Sequence, residues 1–236
     1  GGSLGRKTAT SQGLVTVLLE ALKHLGLPQT GLTVSIIGFG NVGVGAADIL
    51  HAKGMRIVGL ADSKAAIYNP KGLDIEAVKK HKSDKKSLAG FKGAEELSLD
   101  ELIGLKCDVL IPAALEGQIN AKNANNIKAR IIAAGANDPT TREADDILNK
   151  KGVLILPDIL ANAGGVVVSY FEWVQDIQRF FWQEDEIQKK LEGIMVKAFK
   201  HVLAISQDKK VDMRTAAMIL GVGRVAEASA IRGLYP

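Results

Sequence analysis

Apolar residues at Leu14, Val17, Leu18, Ala21, Leu22 and Leu25 recur at helical spacing, so the stretch from about Leu4 to Leu27 reads as a helix. Gly26 and Pro28 end it. The pattern then changes period. Leu32 to Ile37 is a short β-branched run of the kind found in buried parallel strands. Val42 to Lys53 reads as a helix, Met55 to Leu60 as a second apolar strand, and Leu73 to His81 as another helix. Three further apolar runs follow at Asp108 to Ile111, Arg130 to Ala133 and Val153 to Leu156, with helices expected at Asn120 to Ile127 and Thr140 to Lys150. From Gly164 the strand signal stops, and helical stretches are expected at about 164–182, 184–206 and 211–230.

Strands that alternate with helices imply a parallel sheet covered on both faces, because each parallel crossover needs a returning helix. The expected fold is therefore α/β and doubly wound, with a mostly parallel sheet. A leading helix (1–30), a sheet core (31–160) and closing helices (161–236) would form one domain.

Gly38-Phe39-Gly40-Asn41-Val42-Gly43 fits the pattern G-x-G-x-x-G and falls between an expected strand and an expected helix. In that setting the first glycine makes a tight turn, the second lets backbone approach a pyrophosphate, and the third lets helix and strand pack closely. Free N–H groups at the helix start favour the negative charge. Asp62, followed by Ser63, ends the second strand, where a carboxylate can accept hydrogen bonds from ribose hydroxyls. This makes the domain a Rossmann-type dinucleotide binder. NAD is favoured, because Asp62 repels a 2′-phosphate; Lys64, either a phosphate contact or a solvated turn residue, keeps NADP open.

Ligands of open α/β sheets gather at the C-terminal ends of strands. Three segments there invite inspection. Pro112-Ala113-Ala114 has small side chains, Gly135-Ala136-Asn137 offers an amide in a glycine turn, and Asn162-Ala163-Gly164-Gly165 combines a helix cap with room for close approach. Asn137 and Asn162 suit a carboxamide or a hydroxyl, and serve equally as turn and cap residues.

Composition narrows the remaining classes. Hydrophobic residues make up 47% and charged residues 24%, as in folded globular proteins. No run of about 18 apolar residues appears, and no secretion signal is visible, so a membrane role is not expected and the cytoplasm is the default location. The net charge of +4 and the Lys79–Lys86 run, which lacks interleaved aromatics, suggest a solvated helix end rather than a nucleic-acid surface. Cys107, the lone cysteine, is expected to pack as a small apolar residue, and four dispersed histidines give no metal-ligand spacing. Six aromatics crowd between Tyr170 and Trp182, either filling the core or facing a second domain across a cleft.

Taken together, these segments resemble the C-terminal half of the glutamate dehydrogenase family among the amino-acid dehydrogenases. The resemblance runs in order through Gly1-Gly2-Ser3-Leu4-Gly5-Arg6, Ala9-Thr10, the Gly38 loop, Asn69-Pro70-Lys71-Gly72-Leu73-Asp74, Pro112-Ala113-Ala114 and Ala134-Gly135-Ala136-Asn137. It continues through Pro157-Asp158, Asn162-Ala163-Gly164-Gly165-Val166, Ser169-Tyr170-Phe171-Glu172-Trp173 with Gln175, Arg214-Thr215-Ala216-Ala217 and Arg232-Gly233. It departs at Ser11, where the family often has Gly, and at Gly117, where Asn is frequent.

The resemblance implies reversible oxidative deamination, with an amino acid and a 2-oxo acid as small-molecule partners. Thr10, Asn137 and Asn162 are then expected near the nicotinamide, Asn41 at the glycine loop, Ala113 and Ala114 beside the cofactor, and Ser169 at the substrate's distal carboxylate. The family's catalytic Lys and Asp belong to an N-terminal domain outside these residues, so this chain is expected to bind cofactor without turnover and to need that domain, within a hexamer, for activity. The resemblance starts abruptly at residue 1, while the C-terminus looks complete. A leucine, phenylalanine or valine dehydrogenase, or a stand-alone nicotinamide-binding regulatory module, are the alternatives.

Overall fold

The computed structural model describes residues 2–233; Gly1 and the last three residues of the expected helical extension lie outside them. The elements are α1 (Ala9–His24), β1 (Thr33–Ile37), α2 (Asn41–Ala52), β2 (Arg56–Ala61), β3 (Ala66–Tyr68), α3 (Ile75–Lys85), β4 (Glu95–Leu97), α4 (Leu99–Ile103), β5 (Val109–Pro112), β6 (Ile131–Ala133), α5 (Arg142–Lys150), β7 (Leu154–Leu156), α6 (Asp158–Ala161), α7 (Gly164–Gln178), α8 (Glu184–Lys209) and α9 (Met213–Arg232). Seven strands form one sheet in the order β4-β3-β2-β1-β5-β6-β7. The pairs β2-β1, β1-β5, β5-β6 and β6-β7 are parallel, whereas β3 and β4 add an antiparallel edge beyond β2.

Successive strand residues point to opposite faces of a sheet, and here both faces are apolar. Val34, Ile36, Leu60, Val109, Ile111 and Ile131 pack on the side of α1, α2, α7 and α8. Ile37, Val58, Leu110 and Ile132 pack on the other, with Leu102 and Ile103 of α4 and Ala144 and Leu148 of α5. The sheet is thus a buried middle layer, and β1, flanked by parallel neighbours on both sides, is where the winding reverses. That reversal opens a crevice at the C-terminal ends of β1 and β5.

Several expected elements are corrected. The leading helix starts only at Ala9, and Leu25 caps its end with an exposed side chain instead of joining the apolar stripe. The helix expected at 120–127 is a single 3-10 turn, Ala124–Asn126. Asparagine side chains take its backbone away: the Asn120 N–H donates to Asn123 Oδ1, the Lys122 N–H to Asn120 Oδ1, and the two side-chain amides donate to Gly117 and Gln118 carbonyls. The β3 and β4 edge and α4 were not expected from the apolar pattern.

The aromatic cluster does not fill the core as a whole. Phe171 is buried and meets Trp182 edge-on, whereas Tyr170, Trp173, Phe180 and Phe181 are exposed. Cys107 is buried beside β5; that burial, together with the charge of Asp108, pushes its thiol pKa up to about 12. No helix among the described residues is long and apolar enough to cross a membrane. No group of three or more His, Cys, Asp or Glu among them could hold a metal.

Candidate functional site

The glycine loop lies where β1 hands over to α2. Its three glycines answer to different neighbours. Gly38 has φ +103°, and a Cβ there would stand 2.7 Å from the Ala113 carbonyl. At Gly43 a Cβ would fall 1.8 Å from the Gly38 oxygen, so the chain's own packing requires glycine at both positions. Gly40 is different: its φ is an ordinary −93°, and a Cβ would meet nothing within 4 Å. The protein itself does not need glycine there, so the space it keeps free lies outside the fold. Gly40 caps α2 without any side-chain bond, and the first helical bond runs from the Val44 N–H to the Gly40 carbonyl. The amides of Asn41, Val42 and Gly43 therefore open onto this space.

The crevice continues as a cleft of about 470 Å³ lined by Thr10, Val42, Ala113, Ala114, Gly135, Ala136, Asn137, Asn162, Gly165 and Val166, with Arg6 at its rim. Six residues expected from sequence thus converge, from α1, α2 and the turns after β5, β6 and α6. Among the described residues, Arg6 is the only charged side chain in the lining. Asn162 Nδ2 donates to Asn137 Oδ1 at 2.7 Å, joining the two turns. Gly165 leaves room for the Thr10 hydroxyl, which a Cβ would approach to 2.6 Å.

Other residues singled out in the sequence lie around this cleft or outside it. In the turn after β6 the Gly135 and Ala136 N–H groups both donate to the Pro112 carbonyl, at 2.9 and 3.0 Å, so the amide this turn offers is the Asn137 side chain. Asn162 does not cap the following helix: it closes α6, and α7 starts from Ala163. Ser169 does not line the cleft; it lies one turn along α7 from Gly165, to whose carbonyl its hydroxyl donates at 3.0 Å. Ser11, where glycine is frequent in the family, bonds the Val42 carbonyl and packs over Gly45, so it ties α1 to α2. Gly117 has φ +60°, a left-handed conformation that Asn also tolerates better than most residues.

Asp62 directly follows β2 beside the glycine loop, but its carboxylate is already engaged. Oδ1 accepts from the Lys64 and Ala65 N–H groups, Oδ2 accepts from the Leu88 N–H, and Lys82 Nζ stands 3.5 Å away. Burial would raise its pKa, yet the three backbone donors and Lys82 outweigh burial and hold the carboxyl below its ordinary value. Ser63 and Lys64 are exposed on the bend that Asp62 shapes. In the sequence Lys82 is only part of a basic helix end. Its Nζ donates to the Phe39 carbonyl at 2.8 Å and lies 5.4 Å from the Phe39 ring, so α3 is pinned to the glycine loop.

A sequence model of the Glutamate/Leucine/Phenylalanine/Valine dehydrogenase family matches residues 1–233. The chain belongs to this family. It is 47% identical to the glutamate dehydrogenase of Thermotoga maritima over all of its own length and 57% of that protein's. It is also 42% identical to a cryptic catabolic NAD-specific glutamate dehydrogenase of Bacillus subtilis, covering 99% of the chain and 54% of the relative. Among solved structures, the hetero-hexameric glutamate dehydrogenase of Thermus thermophilus in its Leu-bound form superposes with a TM-score of 0.94 at 35% identity, over 100% of this chain and 56% of that one. The chain thus spans little more than half the length of the relatives it matches. The shared fold, a mixed and mostly parallel sheet between helices, is that of a nicotinamide-dependent oxidoreductase family.

Proposed function

We propose that these residues form the NAD-binding domain of a glutamate dehydrogenase-like enzyme. The observation that carries this reading is Gly40, a glycine the fold does not require, standing at open helix-start amides in the crevice where the sheet reverses. A diphosphate fits that position: backbone N–H groups of Asn41, Val42 and Gly43 donate to it, and the helix start adds partial positive charge. The ribose then lies toward Asp62, Ser63 and Lys64, and the nicotinamide reaches the Ala113-Ala114, Asn137 and Asn162 corner with Thr10. When bound, the cofactor supplies hydride transfer. The residues of this chain bind it, orient it and leave small side chains where the ring approaches.

NAD is preferred over NADP in this reading, and the NAD-specific relative supports that choice. Asp62 acts mainly by shaping the bend that presents Ser63, since three backbone amides already occupy its oxygens. Ser169 faces the amino-acid substrate only when a substrate domain closes over α7. Deamination of glutamate to 2-oxoglutarate and ammonia needs a general base and acid, which in this family lie in the N-terminal domain, so residues 1–236 alone bind cofactor without turnover. Hexamer formation by a protein carrying both domains belongs to the same reading.

Calorimetric titration of the 236-residue chain with NADH and NADPH tests it. Binding at one site, tighter for NADH, with no glutamate-dependent NADH production, is expected. Failure to bind either nucleotide would overturn the assignment, and turnover by this chain alone would overturn the division of labour.

A further inference from the structure

Arg214, at the second position of α9, is largely buried although it lines no part of the cofactor cleft. Its Nε donates to Asp145 Oδ2 of α5 at 2.7 Å, Nη1 to Asp158 Oδ1 of α6 at 2.8 Å, and Nη2 to Thr140 Oγ1 at 3.0 Å. Asp138 Oδ1 lies 3.6 Å from Nη1. One planar fork therefore ties α9, α5, α6 and the turn after β6, a task that needs donors on several edges and that a lysine cannot perform.

Asp158 passes this anchorage to the cleft. Its second oxygen, Oδ2, accepts from the Asp138 N–H at 2.9 Å. Asp138 has φ +41°, a left-handed conformation that costs a non-glycine residue energy and persists where neighbours enforce it. Asn137 immediately precedes this turn. Asn162 closes the helix that Asp158 opens, its N–H donating to the Asp158 carbonyl at 2.9 Å, and its side chain bonds Asn137.

We propose that Arg214 is a positioning residue for the nicotinamide end of the cleft: by fixing Asp158 it sets the Asn137–Asn162 amide pair against the cofactor ring. This rests on the cofactor reading given above. Because Arg214 lies in the first turn of α9, a displacement of that helix start reaches the amide pair through Asp158 and through Asp138, whose carboxylate also stands beside Nη1. A residue that merely stabilised the fold would weaken every ligand of the cleft alike. A positioning residue weakens contacts to the nicotinamide and spares those to the diphosphate and adenosine, which sit at the Gly40 loop.

The test compares NADH with ADP-ribose, which lacks the nicotinamide, by calorimetry on the 236-residue chain and on Arg214→Lys, Arg214→Gln, Asp158→Asn and Asp145→Asn. Arg214→Lys keeps the charge and serves where Arg214→Gln fails to fold. In the parent, NADH binds more tightly than ADP-ribose. In both Arg214 variants and in Asp158→Asn that preference falls about tenfold, while ADP-ribose affinity stays within about twofold. Asp145→Asn, which meets Arg214 only at Nε and leaves the Asp158 bond in place, keeps the parental preference. If the folded Arg214 variants retain the preference, or lose both ligands equally, the positioning role is wrong while the cofactor reading stands. A parent chain with no preference for NADH would instead remove the nicotinamide from this corner, and the role of Arg214 with it.

Discussion

Replacing Gly40 by valine separates the needs of the fold from those of the ligand. The position has an ordinary negative φ, and an added Cβ meets nothing within 4 Å, so the folded chain leaves room for a side chain to start there. What is lost locally is a tolerable helix cap, worth about 1 kcal/mol, which lowers the thermal midpoint of a domain of this size by about 2–4 °C. For the ligand the loss is larger. The isopropyl group fills the space facing the Asn41 and Val42 amides, and losing two charge-assisted hydrogen bonds at about 1.5 kcal/mol each weakens a diphosphate by about 150-fold. Scanning calorimetry and NADH titration on the same preparations read both quantities. Near-parental stability with NADH binding weakened about a hundredfold is expected. Parental affinity in the variant would refute the reasoning, because the diphosphate would then lie elsewhere.

Gly43→Ala should do the opposite, lowering the thermal midpoint by more than about 8 °C in scanning calorimetry, because its Cβ falls 1.8 Å from the Gly38 carbonyl and backbone has to move. Asp62→Ala should weaken NAD more than NADP in parallel titrations, with the reverse order removing Asp62 from the ribose end. The Asp62 carboxyl titrates lower in the fold than in the unfolded chain, so its stabilising effect is complete above the unfolded value and is lost as pH falls through the folded one. Asp62→Asn should accordingly be less stable than the parent at neutral pH, with the gap closing below about pH 4 in urea melts. Lys82→Met removes one of the influences that lower the Asp62 pKa and frees the Phe39 carbonyl, so acid unfolding should begin at higher pH and NADH binding should weaken severalfold. Cys107 should resist thiol reagents at neutral pH until the chain unfolds, since its pKa lies at about 12.

Hydrophobic periodicity revealed the parallel strands and the long helices because each has one or two faces that must leave water. It missed β4 because Glu95 and Glu96 carry no such pattern; that strand exists as an antiparallel partner of β3. Helix α4 is too short for a periodicity, but Ser98-Leu99-Asp100-Glu101 does spell a capping box, and both of its bonds form. At 120–127 the pattern misled, because two asparagines bind the backbone more favourably than a helix does.

The site divides along similar lines. The glycine loop and the small residues after β5 and β6 were readable because close approach demands particular residue types at fixed places. The partners of Asp62 were not, since Leu88 lies 26 residues away and Lys82 reaches the loop only when α3 packs against it. Arg214 stood in a recognisable motif, yet its carboxylates come from two helices and a turn that only tertiary folding assembles. Arg6, likewise inside a familiar stretch, becomes informative only once the cleft forms around it.

A crystal of the chain grown with NADH bears most directly on the central claim. The account predicts diphosphate oxygens within hydrogen-bond distance of the Asn41 and Val42 amides over Gly40, with the nicotinamide beside Asn137 and Asn162. A nucleotide bound anywhere else, or a diphosphate standing off from those amides, would contradict it.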